Sequence, residues 1–298
     1  MTGCYLERCP VTCWVQLGRH GDIMILLPAM KKFFEDTGVK PVMMVCSEFR
    51  STLDCCSYVI PFPVDGFSWF GDVILAKKIA DYWYDRVVVP KWWDCPGITP
   101  PPPKPDEPTT TLRHQGRVMV VGLEEWSSYQ YSQWRATGLS RQNMLDLPLV
   151  FDNRSPDREA TLASRYMNRK LPVVLYNFSG VSNPMPFEPE IMSELRSLQG
   201  RIELVDMRHV RAENVPDMLG MFDRALCSIN GDTATLHLAA ASNTPHIALL
   251  ANGGAGSIPK GNCILKLRYG EIRSNVGAVK STIEKLLWDR AAREGKNP

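Results

Sequence analysis

Long apolar runs are missing from this sequence. The longest, such as Ile247-Ala-Leu-Leu-Ala251, fall far short of the ~18 residues a spanning helix requires, so no membrane span and no stable membrane insertion are expected. Charge of one sign is equally scarce. Lys and Arg number 34 against 32 Asp and Glu, a formal charge of +2, which gives no global drive toward nucleic acid or anionic membrane and leaves only local contacts. The nine cysteines are odd in number and include no C-x-x-C pair, which fits a reducing compartment. Cys4, Cys9 and Cys13 cluster, but the second half of a four-ligand zinc site is lacking, so no metal is expected. The first ten residues lack a basic segment followed by an apolar core, so a secretory signal is not supported and the cytoplasm is the default expectation.

What is present is the composition of a folded protein: 298 residues, 44% hydrophobic and 22% charged. At about 100–200 residues per domain this length suggests two domains. The second half alternates short β-branched runs with helical periodicity, as βαβ units do. Strands are expected at Pro172–Asn177, Ile202–Asp206, Ala225–Ile229, His246–Leu250 and Cys263–Leu267. The intervening helices are expected at Glu188–Leu198, Val215–Arg224 and Thr233–Ala241, the second presenting Met218, Leu219 and Phe222 on one face. The first half opens likewise, with a strand at Val11–Val15, a glycine-bearing loop, and a helix over Ile23–Thr37 whose apolar face is Ile23, Leu26, Leu27, Met30, Phe33 and Phe34. Val42–Cys46 is the second strand; Arg86–Pro90 and Arg117–Val121 are weaker candidates. Two Rossmann-like domains are expected, 1–153 and 154–298, with a hinge near Phe151–Ser155 and a last helix over about 276–294 that could pack back across the first domain.

Between the two patterns the prolines of Gly97–Pro105 read as a surface loop. Aromatics crowd around it: Trp69, Trp83, Trp92, Trp93, Trp126 and Trp134, with Tyr82, Tyr84, Tyr129 and Tyr131. They serve either as packing for a small insertion or as a platform for a flat acceptor.

Three strand-to-helix junctions could carry chemistry. In Gly18-Arg-His-Gly-Asp22, Gly18 and Gly21 would permit positive φ and close approach, and Asp22 falls at the expected helix N-cap, either as a cap alone or as a reactive carboxylate. Arg19 and His20 share that loop, His20 being a phosphate or acid/base residue or a plain turn residue. At the second junction, Gly231 makes the turn, Asp232 or Thr233 caps, and the free amides of the following helix suit an anion such as a diphosphate. His237 lies one turn inside that helix, as a buried histidine or a ligand contact. The third is Asn177-Phe-Ser-Gly-Val-Ser-Asn183, where Ser179, Gly180, Ser182 and Asn183 suit phosphate or sugar hydroxyls but equally mark a turn.

The pairing of L-G-x-x-G-D-I-x-x-x-L-P-A-M near the N-terminus with G-D-T-A-T-L-H-L-A-A-A-S-x-x-P-x-I-A-L-L near the C-terminus resembles family 9 glycosyltransferases of the ADP-heptose:lipopolysaccharide heptosyltransferase type. The resemblance covers about 11–46 and 171–268. It implies an α/β, GT-B-like fold with two Rossmann-like domains facing each other across a cleft, the first an acceptor domain and the second a nucleotide-sugar donor domain. It implies inverting transfer of a sugar, hexosyl or heptosyl, from a nucleotide-sugar to a glycan of lipopolysaccharide type, with no cofactor. By the same resemblance Asp22 would be the general base, with Gly18, Arg19, His20 and Gly21 beside it. Gly231, Asp232, Thr233 and His237 would lie at the donor sugar and diphosphate. The family's lysine and K-x-W-P-like segment after the first donor-domain strand is replaced here by Val181-Ser-Asn-Pro-Met-Pro186, so Ser179, Gly180, Ser182 and Asn183 would take over part of the phosphate contact. Two rival readings stand beside it: a phage-type transferase acting on a hydroxymethylated base in DNA, using Arg113, His114, Arg117, Arg135 and Arg141, and a non-catalytic Rossmann-like nucleotide-binding protein.

Overall fold

A computed structural model describes residues 9–68, 72–91, 109–114, 117–122, 129–139, 141–167, 170–180, 184–252 and 260–295. The chain divides into two compact units, Met1–Asn153 and Arg154–Pro298. The proline-rich stretch 97–105, Trp69, Trp92, Trp93, Trp126, Cys4, Ser182 and Asn183 lie outside the described residues.

In the first unit, β1 (Cys9–Val15), β2 (Val42–Cys46), β3 (Ile60–Val64) and β4 (Tyr84–Val88) form a parallel sheet in the order β3-β2-β1-β4. β1 and β2 are buried on both faces, as central parallel strands are. Cys13 and Val15 pack toward Val73, Ala76 and Ala80 of α2 (Val73–Trp83), while Trp14 meets Phe33 of α1 (His20–Thr37) edge-on at 6.5 Å. The first half of α1 is buried all round, Ile23 through Met30, and its second half is half-exposed, so Phe33 and Phe34 are not core as their spacing suggested. β5 (Thr109–His114) and β6 (Arg117–Gly122) form a separate antiparallel hairpin, followed by α3 (Tyr129–Arg135) and α4 (Arg141–Asp146). The aromatic cluster divides between core and surface: Tyr131 and Trp134 are buried, whereas Tyr82 and Trp83 are exposed.

The second unit begins with α5 (Pro156–Tyr166), capped by Ser155 with proline in its first turn. Its sheet contains β7 (Val173–Asn177), β8 (Glu203–Asp206), β9 (Cys227–Asn230), β10 (His246–Leu250) and β11 (Cys263–Arg268), parallel throughout in the order β11-β10-β9-β7-β8. α6 (Glu188–Arg196) follows β7, and α8 (Ala234–Ala241) follows β9. The helix expected over Val215–Arg224 is instead a 3-10 turn, Val215–Met218, running into one α-helical turn, α7 (Leu219–Phe222). Met218 is only half-buried, and the side chains that reach the core are Leu219, Met221 and Phe222. The last helix, α9 (Tyr269–Arg293), starts seven residues before its expected position and bends at the non-helical Asn275. Its Ile272, Val279 and Ile283 join the core of this second unit.

Both sheets reverse their winding once. In the first, the chain leaves β1 for β2 and β3 on one side, then returns through α2 to β4 on the other. In the second, β8 lies on one side of β7, while β9, β10 and β11 lie on the other. Such a switch point opens a crevice at the carboxyl ends of the two diverging strands, where ligands of open α/β sheets bind. The crevices are β1/β4 and β7/β9.

Candidate functional site

The β1/β4 crevice is occupied by an ion pair. β1 leads into Gln16-Leu-Gly-Arg19 and α1 begins at His20, three residues before its expected start. Asp22 is therefore not the N-cap. Arg19 holds that position and Asp22 is the third helical residue, its Oδ2 accepting the Arg19 backbone N–H at 3.1 Å. The same oxygen takes the ammonium of Lys91, just beyond β4, at 3.0 Å. Lys91 is 4% exposed and the Asp22 side chain 13%. Gln133 of α3, fully buried, donates to Asp22 Oδ1 at 3.4 Å and accepts from Gln16 Nε2 at 2.7 Å. Trp134 fixes this helix against α1 by donating to the Ile25 carbonyl at 2.7 Å.

Gly18 acts through space, not dihedral angle. Neither Gly18 nor Gly21 has a positive φ, contrary to expectation. A Cβ on Gly18 would lie 2.4 Å from Asp22 Oδ2, so only glycine leaves room for the carboxylate to fold back over the loop. His20 stands in the first turn of α1, with Nδ1 2.6 Å from Thr52 Oγ1 and Phe49 edge-on at 5.0 Å. Burial pushes its imidazole down to about 4, which favours the neutral ring at pH 7.

The β7/β9 crevice is built from Asn177, Phe178, Ser179 and Gly180 on one side and Asn230, Gly231, Asp232 and Thr233 on the other. Asn177 and Asn230 are register partners, and Gly231 N–H donates to the Asn177 carbonyl at 2.8 Å. Ser179 N–H is turned inward to Asn177 Oδ1 at 3.0 Å. Thr233 is the N-cap of α8 rather than its first residue, and its hydroxyl sits 2.7 Å from that of Thr235 without closing a cap bond. The first turn of α8 thus keeps backbone amides directed at the crevice. Gly231 also lacks a positive φ, and a Cβ there would meet its nearest atoms at an ordinary 3.5 Å. Asn230 is fully buried and its Oδ1 has no hydrogen-bond partner among the described residues. His237 is buried within α8.

Sequence reasoning passed over several residues here. Lys91 and Gln133 lie 69 and 111 residues from Asp22, and no local pattern links them. Arg208, after β8, reaches Ser179 Oγ at 3.3 Å and is shared between Asp206 at 2.6 Å and Glu188 at 3.0 Å. Burial alone would raise the Asp206 carboxyl, but the hydrogen bonds and charge of Arg208 outweigh it and hold the group below its ordinary range. Tyr269, the first residue of α9, lies beside Asp232; burial, aided by the Asp232 charge, pushes its phenol up to about 12. Of the basic residues in the insertion, Arg113, His114 and Arg117 lie on the β5–β6 hairpin, Arg135 ends α3 and Arg141 begins α4. Among the described residues no group of three or more His, Cys, Asp or Glu could hold a metal ion, and no helix is long and apolar enough to cross a membrane.

No protein-family model and no curated protein matches the sequence. Solved structures do match. A family 9 glycosyl transferase from Veillonella parvula superposes with a TM-score of 0.57 at 11% identity, covering 95% of this chain and 98% of that one. E. coli ADP-heptose lipopolysaccharide heptosyltransferase II gives 0.61 at 12% identity, covering 94% and 99%. E. coli heptosyltransferase WaaC, solved with ADP, gives 0.52 at 14% identity, covering 92% and 99%. The chain therefore has, over nearly its whole length, the α/β fold of the family 9 glycosyltransferases and ADP-heptose heptosyltransferases.

Proposed function

We propose that this protein is a glycosyltransferase that moves a sugar from a nucleotide-sugar to an acceptor hydroxyl with inversion. The observation that carries the reading is the placement of Asp22: a carboxylate held at the switch point of the first sheet, in a chain whose fold matches glycosyltransferases over nearly its whole length. In the reaction the acceptor oxygen forms its bond to the anomeric carbon as the bond from that carbon to the diphosphate breaks. Asp22 takes the hydroxyl proton, and the diphosphate leaves with the electron pair.

The second unit supplies what a leaving diphosphate needs. Backbone amides at the start of α8, together with Ser179, Gly180, Gly231, Asp232 and Thr233 around the β7/β9 crevice, offer donors and a helix dipole to negative charge. A glycan hydroxyl is the acceptor we favour, and the chemistry calls for no metal or other cofactor. The neighbours' names supply the donor class to try first: ADP-heptose is in the name of one, and ADP was bound in another.

The test is nucleotide release from a panel of ADP-, UDP-, GDP- and TDP-sugars in the presence of candidate glycan acceptors. With an active pair in hand, Asp22→Asn is expected to retain donor affinity and to lose transfer by ~10²–10⁴-fold. Turnover within a few-fold of the parent in that variant would remove Asp22 as the base and with it the observation that carries this reading.

A further inference from the structure

We propose that Arg273 supplies the cation that binds the donor diphosphate; this rests on the reading of the β7/β9 crevice as the donor site. Neither loop of that crevice provides a Lys or Arg. Residues 178–187 read Phe-Ser-Gly-Val-Ser-Asn-Pro-Met-Pro-Phe, and the turn after β9 contributes an acid, Asp232. A diphosphate held there by backbone amides alone would keep most of its charge unbalanced, and guanidinium groups are the common solution. Arg208 is close, but two carboxylates already divide its charge.

Arg273 differs. It is exposed, forms no ion pair among the described residues, and lies over the ring of Phe187 with 5.6 Å from guanidinium carbon to ring centre. Phe187 closes the loop that runs from β7 to α6. The backbone explains how a residue after the edge strand β11 comes to be there. At the start of α9 the Tyr269 hydroxyl lies beside Asp232, and Gly270 N–H donates to Asn252 Oδ1 at 3.1 Å. One turn later Arg273 meets Phe187, so the first turn of α9 crosses the carboxyl ends of β10 and β9 toward β7. Asn275 then breaks the helical geometry, with Asn275 Nδ2 bonded to the Glu271 carbonyl at 2.9 Å, and the remainder of α9 packs Val279 and Ile283 into the core. The bend thus isolates one short segment over the crevice. That segment lies beside Asp232 at one end and Phe187 at the other, and it carries a cation with no ion pair among the described residues.

The experiment compares the parent chain with Arg273→Gln, Arg273→Lys and the control Arg201→Gln, whose exposed guanidinium pairs with Glu284 elsewhere on the same unit. Binding of ADP, UDP, GDP and TDP and of the four corresponding nucleosides is measured by calorimetry and by thermal shift. For whichever diphosphate binds, Arg273→Gln is expected to weaken affinity about tenfold or more, flatten its salt dependence and leave nucleoside affinity unchanged. Arg273→Lys should lose less, and Arg201→Gln nothing. Diphosphate affinity unchanged in Arg273→Gln, or an equal loss in Arg201→Gln, overturns the role of Arg273 while leaving the donor site standing. Failure of every diphosphate to bind the parent overturns the donor site and Arg273 together.

Discussion

Replacing Lys91 by methionine tests the site through its energetics, without knowledge of any substrate. Methionine keeps most of the stem volume and removes the ammonium from beside a carboxylate that is 13% exposed. Breaking a buried pair from one side costs about 3–5 kcal/mol. The low end applies here, about 3 kcal/mol, because Oδ2 retains the Arg19 amide at 3.1 Å and some contact with water. For a unit of this size that is a fall in melting temperature of roughly 6–12 °C. Asp22→Asn should cost a similar amount for the mirrored reason: an amide at the third helical position still accepts from Arg19, but the ammonium of Lys91 is left buried. The double variant, having neither charge, should lose clearly less than the sum of the two, with a coupling of about 2 kcal/mol or more. Urea unfolding followed by fluorescence reports on this unit through the buried Trp14 and Trp134, and a separate transition is expected from the second unit. Additive single and double variants, or a Lys91→Met cost under about 0.5 kcal/mol, would show that the pair behaves as a solvated surface contact and would refute the reasoning.

Three further outcomes are expected. Gly18→Ala puts a methyl group within 2.4 Å of Asp22 Oδ2 and must displace the carboxylate; transfer should fall by ~10²-fold with donor affinity retained, and unchanged turnover would show that the position of Asp22 is immaterial. Gly231→Ala meets only ordinary contacts at 3.5 Å and needs no positive φ, so its melting temperature should stay near the parent's while diphosphate affinity falls; a calorimetric titration equal to the parent's would argue against close approach of a phosphate to that turn. His20, ordinarily near 6.5, is pushed down to about 4 by burial, so between those values the unfolded chain binds more protons than the native one. Stability is then full above about pH 6.5 and falls by about 1.4 kcal/mol per pH unit toward pH 4. His20→Gln should remove that share of the slope in acid unfolding curves, and an unaltered slope would contradict the buried, neutral imidazole.

The parts of this molecule that were legible in the sequence are those encoded locally. Strands β7 and β10 are short apolar or β-branched runs bounded by turn residues, and their positions could be read to within a residue or so because a central parallel strand must be hydrophobic on both faces. The three junctions after β1, β7 and β9 were visible as glycine and Asx punctuation between a strand pattern and a helix pattern. Where local signals compete, the reading slipped. The Val215–Phe222 segment has helical spacing, but Pro216 and Gly220 interrupt it, and Gly220 is pressed so close to Glu159 that a Cβ would lie 2.5 Å away. α2 and β3 left little trace because α2 buries its small residues, Ala76 and Ala80, and exposes Ile74, Leu75, Tyr82 and Trp83.

Tertiary structure alone decided what the junctions are made of. Asp22 looked like a helix cap because the sequence gives the order of residues along the chain, while the start of α1 depends on where the loop from β1 meets the crevice beside β4. Lys91 reaches that crevice only because β4 pairs with β1 out of chain order, and Gln133 only because Trp134 anchors α3 to α1. Tyr269 and Arg273 meet the loops after β9 and β7 because α9 turns back over the carboxyl ends of strands laid down earlier. The sequence by itself determined two βαβ-type patterns, their joint near residue 153, and three glycine-bearing junctions, because these follow from nearest-neighbour preferences and burial periodicity. Which side chains converge on each junction was settled by strand order, a property of pairing between distant segments that no local preference encodes.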